Sequence, residues 1–83
     1  MKLRYFAWVR AEIGRAEEDL LLAPEITTVA DLLGWLASRG PGYARALRRP
    51  DAIRVAVDQE YVGHDHRIAG ATEIALFPPM TGG

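Results

Sequence analysis

Apolar and polar residues alternate at the start of the chain: Leu3, Tyr5, Ala7 and Val9 share one face of an extended segment, and Phe6 and Trp8 the other. A period of two predicts a β-strand over residues 2–9. Residues 10–13 read as one helical turn closed by Gly14, and residues 17–23 as a second strand whose Glu17, Glu18 and Asp19 suit an exposed edge. The period then changes, because Val29, Leu32, Leu33 and Leu36 recur at the spacing of an amphipathic helix. Thr28 with Asp31 three residues on forms a capping-box pattern at its start, and Gly40-Pro41 supplies a left-handed stop and a breaker at its end. Gly34 inside this helix costs about 1 kcal/mol relative to alanine, which predicts that another element packs closely there.

Beyond the helix, residues 43–48 read as a second short helix ended by Pro50, and residues 53–57 as a strand followed by a turn at 58–60. Tyr61 and Val62 then pair back, and a polar stretch over 63–70 leads to a final strand over 72–77. In that strand Ile74 and Leu76 face one way, Ala75 and Phe77 the other. The order β, β, α, short α, β, short β, β predicts an α+β layer, a mixed four- to five-stranded sheet curled over one main helix. Leu3, Tyr5, Val9, Leu20, Leu22, Val29, Leu32, Leu33, Leu36, Val55, Val57, Ile74 and Leu76 form the expected core.

Composition narrows the chemistry. A chain of 83 residues is one domain with little room for an enclosed active site, since a domain this small buries only about 60% of its unfolded surface. Hydrophobic residues at 49% and charged residues at 25% are ordinary globular values, and a formal charge of −1 gives no reason to invoke nucleic acid or a membrane surface. The absence of cysteine excludes disulfides, thiolate metal sites and a thiol nucleophile. No signal-peptide pattern or apolar run of transmembrane length occurs, so a cytoplasmic protein is the expectation.

The last residues, Phe77-Pro78-Pro79-Met80-Thr81-Gly82-Gly83, carry the clearest chemical signal. Pro78 and Pro79 fix φ and lack an N–H, so the segment is expected to leave the sheet as a semi-stiff arm. Gly82 and Gly83 have no Cβ and can lie in a narrow tunnel. At about 3.3 Å per residue, residues 78–83 span about 20 Å. The chain therefore divides into a body over residues 1–77 and a tail over 78–83. An α-carboxylate, with a pKa near 3.5, is ionised at neutral pH and is no acyl donor until a leaving group is attached.

The tail, with the opening Tyr5-Phe6-Ala7-Trp8-Val9-Arg10, the stretch Ala56-Val57-Asp58-Gln59-Glu60-Tyr61-Val62 and the segment Asp65-His66-Arg67-Ile68, resembles the small, sulfur-carrying subunits of molybdopterin synthase. These are ubiquitin-like β-grasp proteins of the MoaD/ThiS superfamily. They usually have Asn where this chain has Asp58. The resemblance implies that an ATP-consuming, E1-like adenylyltransferase activates Gly83, and that a sulfur donor protein converts it to a thiocarboxylate. The tail, with Gly82 beside Gly83, then enters the large subunit of a heterotetrameric synthase and passes sulfur to cyclic pyranopterin monophosphate. No permanently bound cofactor or metal is implied, and the chain by itself is a carrier. The alternatives are a carrier for thiazole or cysteine synthesis, a ubiquitin-like protein modifier, or a plain interaction module.

In a β-grasp fold the first and last strands lie side by side, and the face away from the helix shows Phe6, Trp8, Ala56, Ala75 and Phe77. This apolar patch, with Pro78, Pro79, Met80 and Thr81, is the expected partner-binding surface. His64 and His66 flank Asp65 with no further ligand nearby, so a solvated loop is expected over a metal site. Arg45, Arg48 and Arg49 read equally as a guide for an acidic partner or as cations solvated at a helix end. Trp35 is expected at the core edge.

Overall fold

A computed structural model describes residues 1–79, so Met80, Thr81, Gly82 and Gly83 lie outside the described residues. The elements are β1 (Lys2–Tyr5), α1 (Ala7–Ile13), β2 (Glu17–Asp19), α2 (Val29–Ala37), α3 (Pro41–Ala46), a 3-10 turn (Pro50–Ala52), β3 (Arg54–Val57), β4 (Glu60–Val62) and β5 (Glu73–Phe77). The five strands form one mixed sheet in the order β2-β1-β5-β3-β4. Only β1 and β5 run parallel, in the register Leu3↔Ile74 and Tyr5↔Leu76. The helices cover one face. Leu3, Tyr5, Val55, Val57, Ile74 and Leu76 point from the sheet into a core shared with Val9, Val29, Leu32, Leu33 and Leu36. This is the expected α+β grasp of a main helix by a curled sheet.

The capping box on α2 forms as the sequence predicts. Asp31 N–H donates to the Thr28 hydroxyl at 3.2 Å, and Asp31 Oδ2 accepts from the Thr28 N–H at 3.2 Å. Hydrogen bonds from the backbone and hydroxyl of Thr27, then from Thr28, hold the Asp31 carboxyl below its ordinary pKa. The 63–68 loop completes this cap: the His64 and His66 carbonyls accept from the N–H groups of Ala30 at 2.8 Å and Val29 at 3.0 Å. His64 is also half-buried, with Nε2 2.8 Å from the Ile53 carbonyl, so it is more than the solvated residue expected. Because a carbonyl can only accept, the proton sits on Nε2.

Several boundaries differ from the sequence reading. The first strand stops at Tyr5, where residues up to 9 were expected to be extended. Phe6 N–H still reaches the Leu76 carbonyl at 3.2 Å, but Ala7 turns to φ 53° and starts α1, which swings Val9 into the core. Alternation over so short a stretch does not distinguish strand from helix, and packing decides. The second strand spans three residues instead of 17–23, because Leu20 already faces Met1 and β1 offers no further partner. Leu20 and Leu22 are therefore only partly buried, and Leu21 is 97% exposed. Leu47, Ile53 and Ile68 complete the core in their place.

Helix α2 ends on Ser38, whose hydroxyl donates to the Trp35 carbonyl at 2.6 Å, and not on a left-handed glycine. Gly40 is extended and precedes Pro41, which occupies the first turn of α3, where its missing N–H costs nothing. Trp35 sits at the core edge as expected, under the Arg39 guanidinium.

Glu18 ties the helical layer to the sheet edge. Its side chain is 7% exposed and accepts from the hydroxyls of Tyr5 at 2.7 Å and Tyr43 at 2.6 Å. Arg15 lies 3.0 Å away and Arg39 3.7 Å away. Burial works to raise the Glu18 pKa, but the Tyr43 and Tyr5 hydrogen bonds and the two arginine charges outweigh it and hold the carboxyl below its ordinary value. Burial, then the bond to Glu18, pushes the Tyr5 hydroxyl far above its ordinary value, so it stays a donor.

Two glycines have opposite surroundings. A Cβ on Gly34 would meet nothing within 4 Å, so the close packing expected there is absent. A Cβ on Gly42 would lie 2.5 Å from the Glu12 carbonyl oxygen, because α1 and α3 touch there backbone to backbone. Urea denaturation should therefore show Gly34→Ala stabilising by about 0.5–1 kcal/mol and Gly42→Ala destabilising by about 1–3 kcal/mol.

Because the folded Glu18 pKa lies below the unfolded value, its stabilisation is complete above about pH 4.5 and is lost as pH falls through the folded value. Asp31 and Asp58, also lowered, add to the same acid decline. Denaturation at neutral pH should show Glu18→Gln costing about 1–3 kcal/mol, with the deficit shrinking at pH 3 as the wild-type carboxylate protonates.

Candidate functional site

The parallel pairing of β1 and β5 sends both strands to the same end of the sheet, where β1 hands over to α1 and β5 to the tail. Antiparallel β3 begins at that end, with Arg54 opposite Phe77. Two features therefore lie side by side at the root of the tail.

The first is an aromatic ridge on the outer sheet face. Phe6 and Phe77 stack with ring centroids 4.6 Å apart and planes within 6°. Tyr61 tilts against Phe77 at 5.6 Å. Arginines close both ends: Arg4 lies 5.3 Å from the Phe6 centroid and Arg54 4.5 Å from that of Tyr61. Such pairs are each worth about 0.5–1 kcal/mol at exposed sites. Behind the ridge, the outward row Arg4, Ala75, Ala56, Tyr61 crosses four strands. Its two alanines are only 6% exposed, so they form the floor of the face and are not the exposed patch expected of them. Farther from the tail the face turns ionic, with Lys2 and Arg4 at 3.5 and 4.0 Å from Glu17, and Arg4 3.8 Å from Glu73.

The second feature is a cleft of about 570 Å³ whose walls include Trp8, Glu12, Arg45, Arg48, Arg49 and Pro79. Trp8 was expected on the sheet face with Phe6. Helix α1 instead carries it round the sheet end into this cleft, 46% exposed. Arg45 is held by Glu12 at 2.8 Å. Pro78 and Pro79 are half-buried at the exit of β5, and the predicted site residues Met80, Thr81, Gly82 and Gly83 lie outside the described residues.

Asp58 fixes the approach to β5. It and Gln59 are both left-handed, at φ 47° and 72°, which makes the two-residue turn joining β3 to β4. Its Oδ1 accepts from the Thr72 hydroxyl at 2.7 Å and from the N–H groups of Thr72 and Glu73, each at 2.9 Å. The Thr72 hydroxyl and then these backbone bonds hold the carboxyl below its ordinary pKa. An acceptor oxygen is what the turn uses, and carboxylate and amide side chains both have one.

Among the described residues no three His, Cys, Asp or Glu side chains come together as metal ligands, and no helix is long and apolar enough to cross a membrane. The geometry presents an aromatic ridge and an arginine-lined cleft where β5 ends.

Comparison with known proteins gives the family. The ThiS family model matches residues 3–83. The chain belongs to the ThiS family. Relatives of this ThiS-family chain include the molybdopterin synthase sulfur carrier subunits of Escherichia coli K12, 34% identical over all of this chain and 99% of that one, and of Haemophilus influenzae, 30% identical over the same shares. Among solved structures it is similar to the small archaeal modifier protein 1 of Haloferax volcanii, with a TM-score of 0.71 and 26% identity over 96% of this chain and 97% of that one. The fold is the ubiquitin-like β-grasp.

Tyr61 and Arg54 were missed as surface residues in the sequence reading. The signal was present: a two-residue turn at Asp58-Gln59 puts Tyr61 opposite Ala56, and thus on the outer face beside Phe77.

Proposed function

We propose that this chain is the sulfur-carrier subunit of a molybdopterin synthase, with the Gly83 carboxylate as the group that is loaded. The observation that carries the reading is the full-length match to two relatives bearing that name, together with the Phe77-Pro78-Pro79-Met80-Thr81-Gly82-Gly83 ending. A Gly83 carboxylate oxygen attacks the α-phosphorus of ATP on an adenylating enzyme, and pyrophosphate leaves. A persulfide sulfur of a donor protein then adds to the acyl carbon and AMP leaves. A thiol attacks the donor-side sulfur of the acyl disulfide so formed, which leaves a disulfide on the donor and releases Gly83 with one oxygen replaced by sulfur. With no cysteine in the chain, that sulfur is imported. In the large subunit the thiocarboxylate sulfur displaces an oxygen substituent from an electrophilic carbon of the pterin precursor, and water cleaves the resulting acyl–sulfur bond, returning the Gly83 carboxylate and leaving sulfur on the pterin. The acids and bases for these steps come from the partners; the domain's contribution is to hold the tail root and supply the surface that positions it.

Similarity to a protein named as a modifier favours a second reading, in which Gly83 is joined to lysine amines of other proteins. Intact-mass spectrometry after incubation with ATP, a cognate activating enzyme and a sulfur source separates the two. The carrier gains about 16 Da, and the gain is lost on deleting Gly83. No gain, with Gly83 found instead in isopeptide bonds to lysine, contradicts the carrier role.

A further inference from the structure

The cleft at the tail root has a composition that carrying a group on Gly83 does not require. Three arginines and an exposed tryptophan converge on it, and Glu12 offsets only one of the positive charges. Arg48 and Arg49 are exposed, adjacent in sequence, and without an ion pair among the described residues. They lie beyond the end of α3 at Ala46, so they do not complete its last turn. A chain with a net charge of −1 thus concentrates positive charge where its tail leaves the body. Guanidinium groups are weakly hydrated and bind carboxylates in a planar fork, and Trp8 gives the cleft an apolar wall for the stems of an incoming segment.

We infer that this cleft is a docking site for an acidic segment of the protein that takes up the tail, lying at the mouth of that protein's tunnel. The inference rests on the carrier reading and names a further contact for it. Two observations select a protein segment. Pro79 forms part of the wall, so the cleft borders the segment that follows β5. A volume of about 570 Å³ takes several side chains. The cleft also continues from the aromatic ridge, so ridge and cleft together give an apolar patch with a charged flank, the usual anatomy of a protein interface. Charges on such a flank act mainly by speeding encounter.

The test measures association of the full chain with its cognate large subunit across a salt series. Replacing both Arg48 and Arg49 by alanine should slow association about 10-fold at low salt and flatten its salt dependence, whereas replacing Lys2 and Arg67, an equal loss of charge elsewhere, should change it less than about 2-fold. Equal slowing by both pairs, or none by either, overturns the inference. The chain has no cysteine, so Arg49→Cys provides a unique thiol for a photo-crosslinker. Captured large-subunit peptides rich in Asp and Glu support the site, and peptides without them refute it. Loading of Gly83 is read separately by mass: a chain that gains sulfur but shows no effect at Arg48 and Arg49 fails this inference alone, and one that neither loads nor binds fails both.

Discussion

The parallel pairing of the first and last strands is the constraint on which the rest of the molecule depends. Strands that run parallel at the centre of a sheet deliver their C-terminal ends to the same edge. Phe6 and Phe77 therefore lie side by side at one end of the sheet. Phe6 then stacks on Phe77, Trp8 shares a cleft with Pro79, and the start of antiparallel β3 brings Arg54 and the arginines before it to the same end. The chain gathers these groups from residues 6–8, 45–54 and 77–79.

Such a ladder joins the two extremes of the chain and pays its loop-closure entropy late in folding, so local devices must hold the intervening elements. The capping box and the His64 and His66 carbonyls fix the start of α2. Asp58 fixes the start of β5 through three hydrogen bonds. Glu18 joins β1, β2, α3 and the end of α2 in one partly buried, charge-assisted cluster. These polar supports stand away from the ridge and cleft, which leaves the tail-root surface with its apolar and cationic groups open to a partner.

Much of the fold was legible because its strongest signals are local. The α2 stripe and its cap, the alternation of β5 and the presence of a turn after β3 each depend on their own segment, although the turn is two residues, Asp58-Gln59, and not the 58–60 expected. What was not legible depends on remote contacts. Only the register of β2 on β1, Lys2 opposite Asp19, shows that the ladder stops before Leu22, and only the approach of α1 to α3 shows why Gly42 matters and Gly34 does not. Phe6 and Trp8 look alike in an alternating sequence, yet the left-handed turn at Ala7 sends one to the sheet face and the other round to the cleft. The chemistry of the tail is carried by composition, since glycine and proline act through their own backbones, and the absence of cysteine needs no structure to be seen.

The central claim is that the end of the sheet where β1 and β5 finish is the side presented to the protein that takes the tail. Backbone amide NMR of the labelled chain, titrated with its cognate large subunit, tests it most directly. The account predicts that shift changes and line broadening concentrate at Phe6, Trp8, Arg48, Arg49, Arg54, Tyr61 and Phe77, with α2 and the outer edge of β2 unaffected. Changes centred on α2 or β2, with the ridge and cleft silent, would contradict it.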